Sequence, residues 1–189
     1  EGAPLLFLLH GTGGDETDLI DLGRQLLPGG HVIAPRGDVV EAGAARFFKR
    51  VGMGVYDMAD LDRATIKMAA FMKETIAASE PSCVAALGYS NGANILASVL
   101  FQSPELVDRA VLMHPLIPFD PPLQPGLAGR KVLITAGRHD PIAPAGMTDG
   151  FVRYFVSQGA DASTVWHDGG HEIRPLELAA IREFLAAHD

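Results

Sequence analysis

The sequence predicts an α/β fold, a mainly parallel central sheet with helices on both faces. Three observations carry that expectation. Short, continuously apolar runs recur along the chain, longer helical patterns separate them, and each run ends in turn chemistry.

Leu5-Leu6-Phe7-Leu8-Leu9 has no polar alternation, as expected of a strand buried on both faces. His31-Val32-Ile33-Ala34, Cys83-Val84-Ala85-Ala86-Leu87, Ala110-Val111-Leu112-Met113 and Val132-Leu133-Ile134-Thr135 repeat the type, and Ser163-Thr164-Val165-Trp166 is a weaker sixth. Gly11, Pro35, Gly88, Pro115, Gly137 and Gly169 close these runs. Between them, residues 58–79 place Leu61, Met68, Phe71, Met72 and Ile76 largely on one stripe, and Pro81 stops that helix. Residues 91–102, 144–158 and 174–188 read as helices too. Two segments break the rhythm: residues 36–57, rich in Gly and Arg, and residues 115–126 with five prolines, which read as a stiff wall beside a strand end. In such sheets ligands bind outside the carboxyl ends of the strands, so chemistry is expected there.

The chain's 189 residues suit one domain, 1–189. It opens on Glu1-Gly2-Ala3-Pro4 almost at the first strand, so a natural start cut short is expected. A net charge of -8 disfavours nucleic acid and anionic membrane as partners. No apolar run approaches the roughly 20 residues that span a bilayer. The lone cysteine, Cys83, excludes an intrachain disulfide, which is compatible with a cytoplasmic location.

Gly88-Tyr89-Ser90-Asn91-Gly92 fits G-x-S-x-G and lies between an apolar run and a helical pattern, the strand-turn-helix setting of a nucleophile elbow. A strand turning that sharply strains the serine backbone and pushes Oγ into the cleft, while glycines at 88 and 92 avoid collision. A serine hydroxyl needs a base. His171 follows Gly169-Gly170 after the last run; His139, His167 and His188 are its rivals. Asp140, in Gly137-Arg138-His139-Asp140-Pro141-Ile142, can accept Nδ1–H from that base; the Asp-Pro pair alone would read as a turn or N-cap, but its position after the penultimate strand favours the catalytic role, and Asp168 is the alternative acid. Backbone N–H groups of Asn91 and of Thr12, in His10-Gly11-Thr12-Gly13-Gly14, are the expected oxyanion donors. His10 reads as a pin for that loop. Asp15, Asp18 and Asp21 read as helix-start and surface acids, and with no clustered His or Cys no metal site is expected. Phe47, Phe48, Leu116, Ile117 and Phe119 are candidate acyl-pocket residues, with core packing as their alternative reading.

Taken together, His10 to Glu16, Pro35-Arg36-Gly37, Arg46-Phe47-Phe48, Gly88 to Asn94, the proline-rich segment after His114, Gly137 to Ile142 and Gly170-His171-Glu172 fall in the order of one family. The chain resembles, essentially end to end, the carboxylesterase/phospholipase family of α/β-hydrolases, which includes bacterial carboxylesterases and acyl-protein thioesterases. Arg46-Phe47-Phe48 looks most like the branch linked to hydroquinone stress. The resemblance implies Ser90 as nucleophile, Asp140 as acid, His171 as base and Thr12 with Asn91 as oxyanion donors. It further implies a cofactor-free enzyme, often a homodimer, that cleaves short to medium acyl esters. Three departures stand out. Asn91 replaces the glutamine usual in the thioesterases, the family's usual beginning is absent, and no insertion supplies a large lid. Thioester or lactone cleavage on the same scaffold is the alternative activity, although dienelactone hydrolases would carry cysteine where Ser90 stands. A non-catalytic binding module is the alternative from another class.

Overall fold

The computed structural model describes residues 2–187. In chain order the elements are β1 (Leu5–Leu9), α1 (Ile20–Leu26), β2 (His31–Ile33), β3 (Val39–Glu41), β4 (Ala44–Arg46), β5 (Arg50–Gly52), β6 (Val55–Tyr56) and α2 (Met58–Ser79). They continue with β7 (Val84–Tyr89), α3 (Asn91–Gln102), β8 (Arg109–Met113), β9 (Lys131–Gly137), α4 (Ala145–Ser157), β10 (Asp161–His167) and α5 (Pro175–Ala186).

Six strands form one sheet in the order β2-β1-β7-β8-β9-β10, every neighbouring pair parallel. β1 shows why its apolar run has no polar gap. Leu5, Phe7 and Leu9 pack on one face with residues of α2, α3 and α4, among them Met68, Met72, Ile95 and Phe155. Leu6 and Leu8 pack on the other face with Leu26 of α1 and Ile181 and Leu185 of α5. The order of strands reverses between β1 and β7, and the loops after those two strands therefore diverge to leave a crevice at the carboxyl edge.

The six expected strands and four expected helices are present. Trp166 lies in a full edge strand, β10, which pairs with β9 from Asp161 to His167. The 22-residue α2 starts where the Asp57 side chain accepts the Asp60 N–H at 3.0 Å and ends at Glu80 in a left-handed conformation. Phe71, expected on its buried stripe, is 38% exposed and meets Phe7 edge-on at 6.2 Å. The last helix ends at Ala186; residue 188 of the expected 174–188 span lies outside the described residues.

Residues 36–57 fold into two small antiparallel hairpins, β3–β4 and β5–β6. The proline-rich segment runs irregularly along the molecule, held by Tyr56 Oη donating to Leu116 O at 2.6 Å, Leu116 N–H to Asn94 Oδ1 at 2.7 Å and Tyr154 Oη to Pro122 O at 2.8 Å. No described helix is long and apolar enough to cross a membrane.

Candidate active site

Ser90 leaves β7 with φ 52° and ψ −114° and caps α3. Such a backbone costs a non-glycine residue about 1–3 kcal/mol and persists only where its surroundings enforce it. Here Ser90 N–H bonds Met113 O of β8 at 2.9 Å, and Ser90 O accepts the Asn94 N–H at 3.0 Å. Glycines make the turn feasible. A Cβ on Gly88 would sit 2.3 Å from Gly92 O, and one on Gly92 would sit 2.0 Å from Leu9 O.

His171 Nε2 lies 2.8 Å from Ser90 Oγ, and His171 Nδ1 lies 2.6 Å from Asp140 Oδ2. The two oxygens of the Asp140 carboxylate have different partners. Oδ1 accepts the Ile142 and Ala143 N–H groups at 2.8 and 2.9 Å, closing the turn before α4, while Oδ2 faces the imidazole. Burial pushes this carboxyl up, but the Ala143 N–H, the His171 and His114 imidazoles and the Ile142 N–H outweigh it and hold it below the usual carboxylate range. Two further contacts fix the loop that carries His171. Tyr89 Oη donates to His171 O at 2.7 Å, and His139 N–H donates to Gly169 O at 2.9 Å.

The rivals stand elsewhere. His139 is exposed, Asp168 is exposed beside Arg138 at 3.5 Å, and His188 lies outside the described residues. His167 is buried; its Nδ1 accepts the Gly169 N–H at 2.9 Å and its Nε2 lies 3.2 Å from Glu177 Oε2. His10 donates from Nδ1 to Gly11 O at 2.7 Å and accepts the Gly37 N–H on Nε2 at 3.0 Å, tying the Thr12 loop to the hairpin segment.

A cleft of about 530 Å³ opens over these groups, and Thr12, Ser90, Asn91, His114 and His171 line it. Arg46, Arg50, Met53, Leu116, Pro118, Ile142 and Met147 line it as well. Of the five acyl-pocket candidates only Leu116 lines it. Ile117 and Phe119 line a separate depression with Tyr154. Phe47 and Phe48 are 3% and 0% exposed in the core, which corrects their assignment to the cleft wall. The reason is local: Phe47 N–H is drawn inward onto Asn91 Oδ1 at 2.7 Å, and Phe48 packs edge-on to Tyr56 at 4.8 Å. Arg46 takes the place at the cleft instead.

Sequence reasoning missed the network beneath Asp140. His114, 1% exposed at the end of β8, lies 3.1 Å through Nδ1 from Asp140 Oδ2 and 2.9 Å through Nε2 from Glu177 Oε1. Burial opposes a charge on His114, yet Glu177 and Asp140 on either side push its affinity for the proton above the ordinary imidazole value. Glu177 is likewise opposed by burial and held below the usual range chiefly by His114. Two triples, His114-Asp140-His171 and His114-His167-Glu177, bring donor atoms within 4.8 Å of one another. Their atoms pair as acids with bases, which is hydrogen-bond relay chemistry; all of the second triple is buried. The only advance signal was His114 after an apolar run, a strand-end position.

No family model matches the chain. It is 42% identical over 182 residues to MhqD of Bacillus subtilis (strain 168), a protein named as a hydrolase, covering 95% of this chain and 91% of that one. A protein of unknown function from Agrobacterium tumefaciens str. C58 has a similar structure, with 56% identity and a TM-score of 0.92 over 98% of this chain and 91% of that one. A carboxylesterase from Bacillus cereus matches with 36% identity and a TM-score of 0.91 over 96% of this chain and 86% of its own.

Proposed function

The chain belongs to the carboxylesterase/phospholipase family of α/β-hydrolases and is an ester hydrolase; from that premise we propose that it is a serine carboxylesterase working on short to medium acyl esters through an acyl-Ser90 intermediate. The observation that carries this reading is the unbroken chain from Asp140 through His171 to Ser90, with contacts of 2.6 and 2.8 Å. Ser90 Oγ attacks the ester carbonyl while its proton passes to His171 Nε2, and Asp140 Oδ2 stabilises the imidazolium through Nδ1–H. Thr12 and Asn91, both lining the cleft, supply backbone N–H groups to the oxyanion, a contribution of about 3 kcal/mol for each donor. The imidazolium returns its proton to the leaving alkoxide, which departs as the alcohol. Water, deprotonated by His171, then attacks the acyl-enzyme and releases the acid and free Ser90. The strained backbone at Ser90 keeps Oγ presented to the substrate.

The test is hydrolysis of p-nitrophenyl esters from acetyl to dodecanoyl by the wild type and by Ser90→Ala. The reading predicts a maximum among the shorter chains and a loss of about 10⁴-fold or more in the variant. A variant that keeps its rate would sink it.

A further inference from the structure

The charge lining the cleft has one sign. Among the described residues, the Arg and Lys side chains that line it are Arg46 and Arg50, and no carboxylate lines it, in a chain whose net charge is -8. One carboxylate, Glu41, stands near the pair, and Arg50 takes it: Nε lies 2.9 and 3.1 Å from its two oxygens and Nη2 lies 2.7 Å from Oε1. Arg46 Nε is 3.5 Å from Glu41 Oε2, an ion pair too long for a good hydrogen bond.

The hydrogen bonds of Arg46 go to neutral oxygens. Nε donates to Phe48 O at 3.2 Å and Nη1 to Thr12 Oγ1 at 2.6 Å, while Nη2 makes no hydrogen bond among the described residues. Its side chain is 4% exposed. Two guanidinium groups thus share one carboxylate, which leaves the trio with one positive charge in excess, and the buried Arg46 has the looser hold on Glu41. A buried ion with no full counter-charge is costly. Burial, followed by the neighbouring Arg50 charge, lowers the proton affinity of Arg46, and Glu41 restores only part of it.

An ionised carboxylate on the substrate would complete this arrangement. One excess positive charge matches a monoanion, and the Arg46 Nη2 group, which no hydrogen bond occupies among the described residues, offers its N–H donors to a carboxylate oxygen. The position is also informative. Arg46 bonds the side chain of Thr12, whose backbone N–H is assigned to the oxyanion, so the cation stands one side chain from the reacting carbonyl.

Resting on the esterase reading above, we propose that the cleft selects small esters bearing a second, ionised carboxylate, which Arg46 receives. Monoesters of short dicarboxylic acids and acyl esters of 2-hydroxy acids are the two substrate types of that chemistry.

The experiment compares kcat/KM for monomethyl glutarate and dimethyl glutarate, and for O-acetyl-lactate and its methyl ester, in the wild type, Arg46→Lys and Arg46→Gln. Each pair shares a skeleton and differs in one charge. The wild type should prefer the charged member of at least one pair by about tenfold or more, the range of a charge-assisted hydrogen bond. Arg46→Gln should abolish that ratio whatever it does to the neutral ester, and Arg46→Lys should keep part of it. Equal losses on charged and neutral esters would make Arg46 a lock for the Thr12 loop and overturn the proposal, as would a wild type that prefers the neutral members. Calorimetry with glutarate and with lactate reads the same subsite without turnover: weaker binding of either to folded Arg46→Gln supports it, and binding of neither to the wild type overturns it. Failure of the esterase reading has a separate signature, namely no hydrolysis of any of the four esters and no fluorophosphonate labelling of Ser90.

Discussion

Asp140 takes the His171 imidazole on Oδ2 while Oδ1 accepts the N–H groups of Ile142 and Ala143, so an amide at this position would keep the turn and lose the charge. Asp140→Asn should therefore fold, with a native circular dichroism spectrum, and lose about 10⁴-fold in kcat on a neutral ester because it stabilises the wrong imidazole tautomer. His114 makes a second residue-scale prediction. Both its partners are carboxylate oxygens, and a neutral imidazole can donate to only one of them, so the geometry suits an imidazolium. Its raised proton affinity contributes stability that is complete below the ordinary imidazole value of about 6.5 and is lost as the pH rises through the raised folded value. Asp140 and Glu177, both lowered, contribute stability that is complete above the ordinary carboxylate value of about 4 and is lost as the pH falls through their folded values. Melting temperatures of wild type and His114→Asn should differ most between about pH 4.5 and 6.5 and draw closer as the pH rises through the raised folded value of His114. A difference that does not narrow would mean a neutral His114. The meeting of Ser90, Asp140 and His171 at one sheet edge was legible because each follows an apolar run and adjoins a glycine or proline turn. His114 and Glu177 were not, because what makes them special is burial against each other across 63 positions of chain.

At the scale of single elements, the β7–α3 turn has no room for side chains. Gly92→Ala would place a methyl 2.0 Å from Leu9 O, a backbone atom that cannot rotate away. Urea denaturation should show a loss of about 3 kcal/mol or more. Gly150, in the middle of α4, is the opposite case: its Cβ would meet only Arg153 Nη2, at 3.7 Å. Gly150→Ala should gain up to about 1 kcal/mol in the same experiment. The long helix α2 was readable from its stripe and from Pro81, whereas the hairpins β3–β4 and β5–β6 were not. Their strands have three residues or fewer and are held by contacts such as Phe47 N–H to Asn91 Oδ1, which no local periodicity encodes. That same tie turned Phe47 and Phe48 into the core and left Arg46 at the cleft.

Across the whole molecule, the sheet separates stability from chemistry. The apolar strand runs identify its two-sided burial, but the position of β1 between β2 and β7 is set by long-range packing and was not legible. That order places the Thr12 loop beside the Ser90 turn, with β8, β9 and β10 bringing His114, Asp140 and the His171 loop to the same edge. Met72, fully buried on α2 away from that edge, should behave accordingly: Met72→Ala should lower stability by about 2–5 kcal/mol while the folded fraction keeps the wild-type kcat. The central claim is that Ser90 is a nucleophile activated by His171. Peptide mass mapping after brief fluorophosphonate treatment of the wild type and His171→Gln addresses it most directly. The proposed mechanism predicts one adduct, on Ser90, in the wild type and almost none in the variant over the same time. An adduct on another residue, or equal labelling of both proteins, would contradict it.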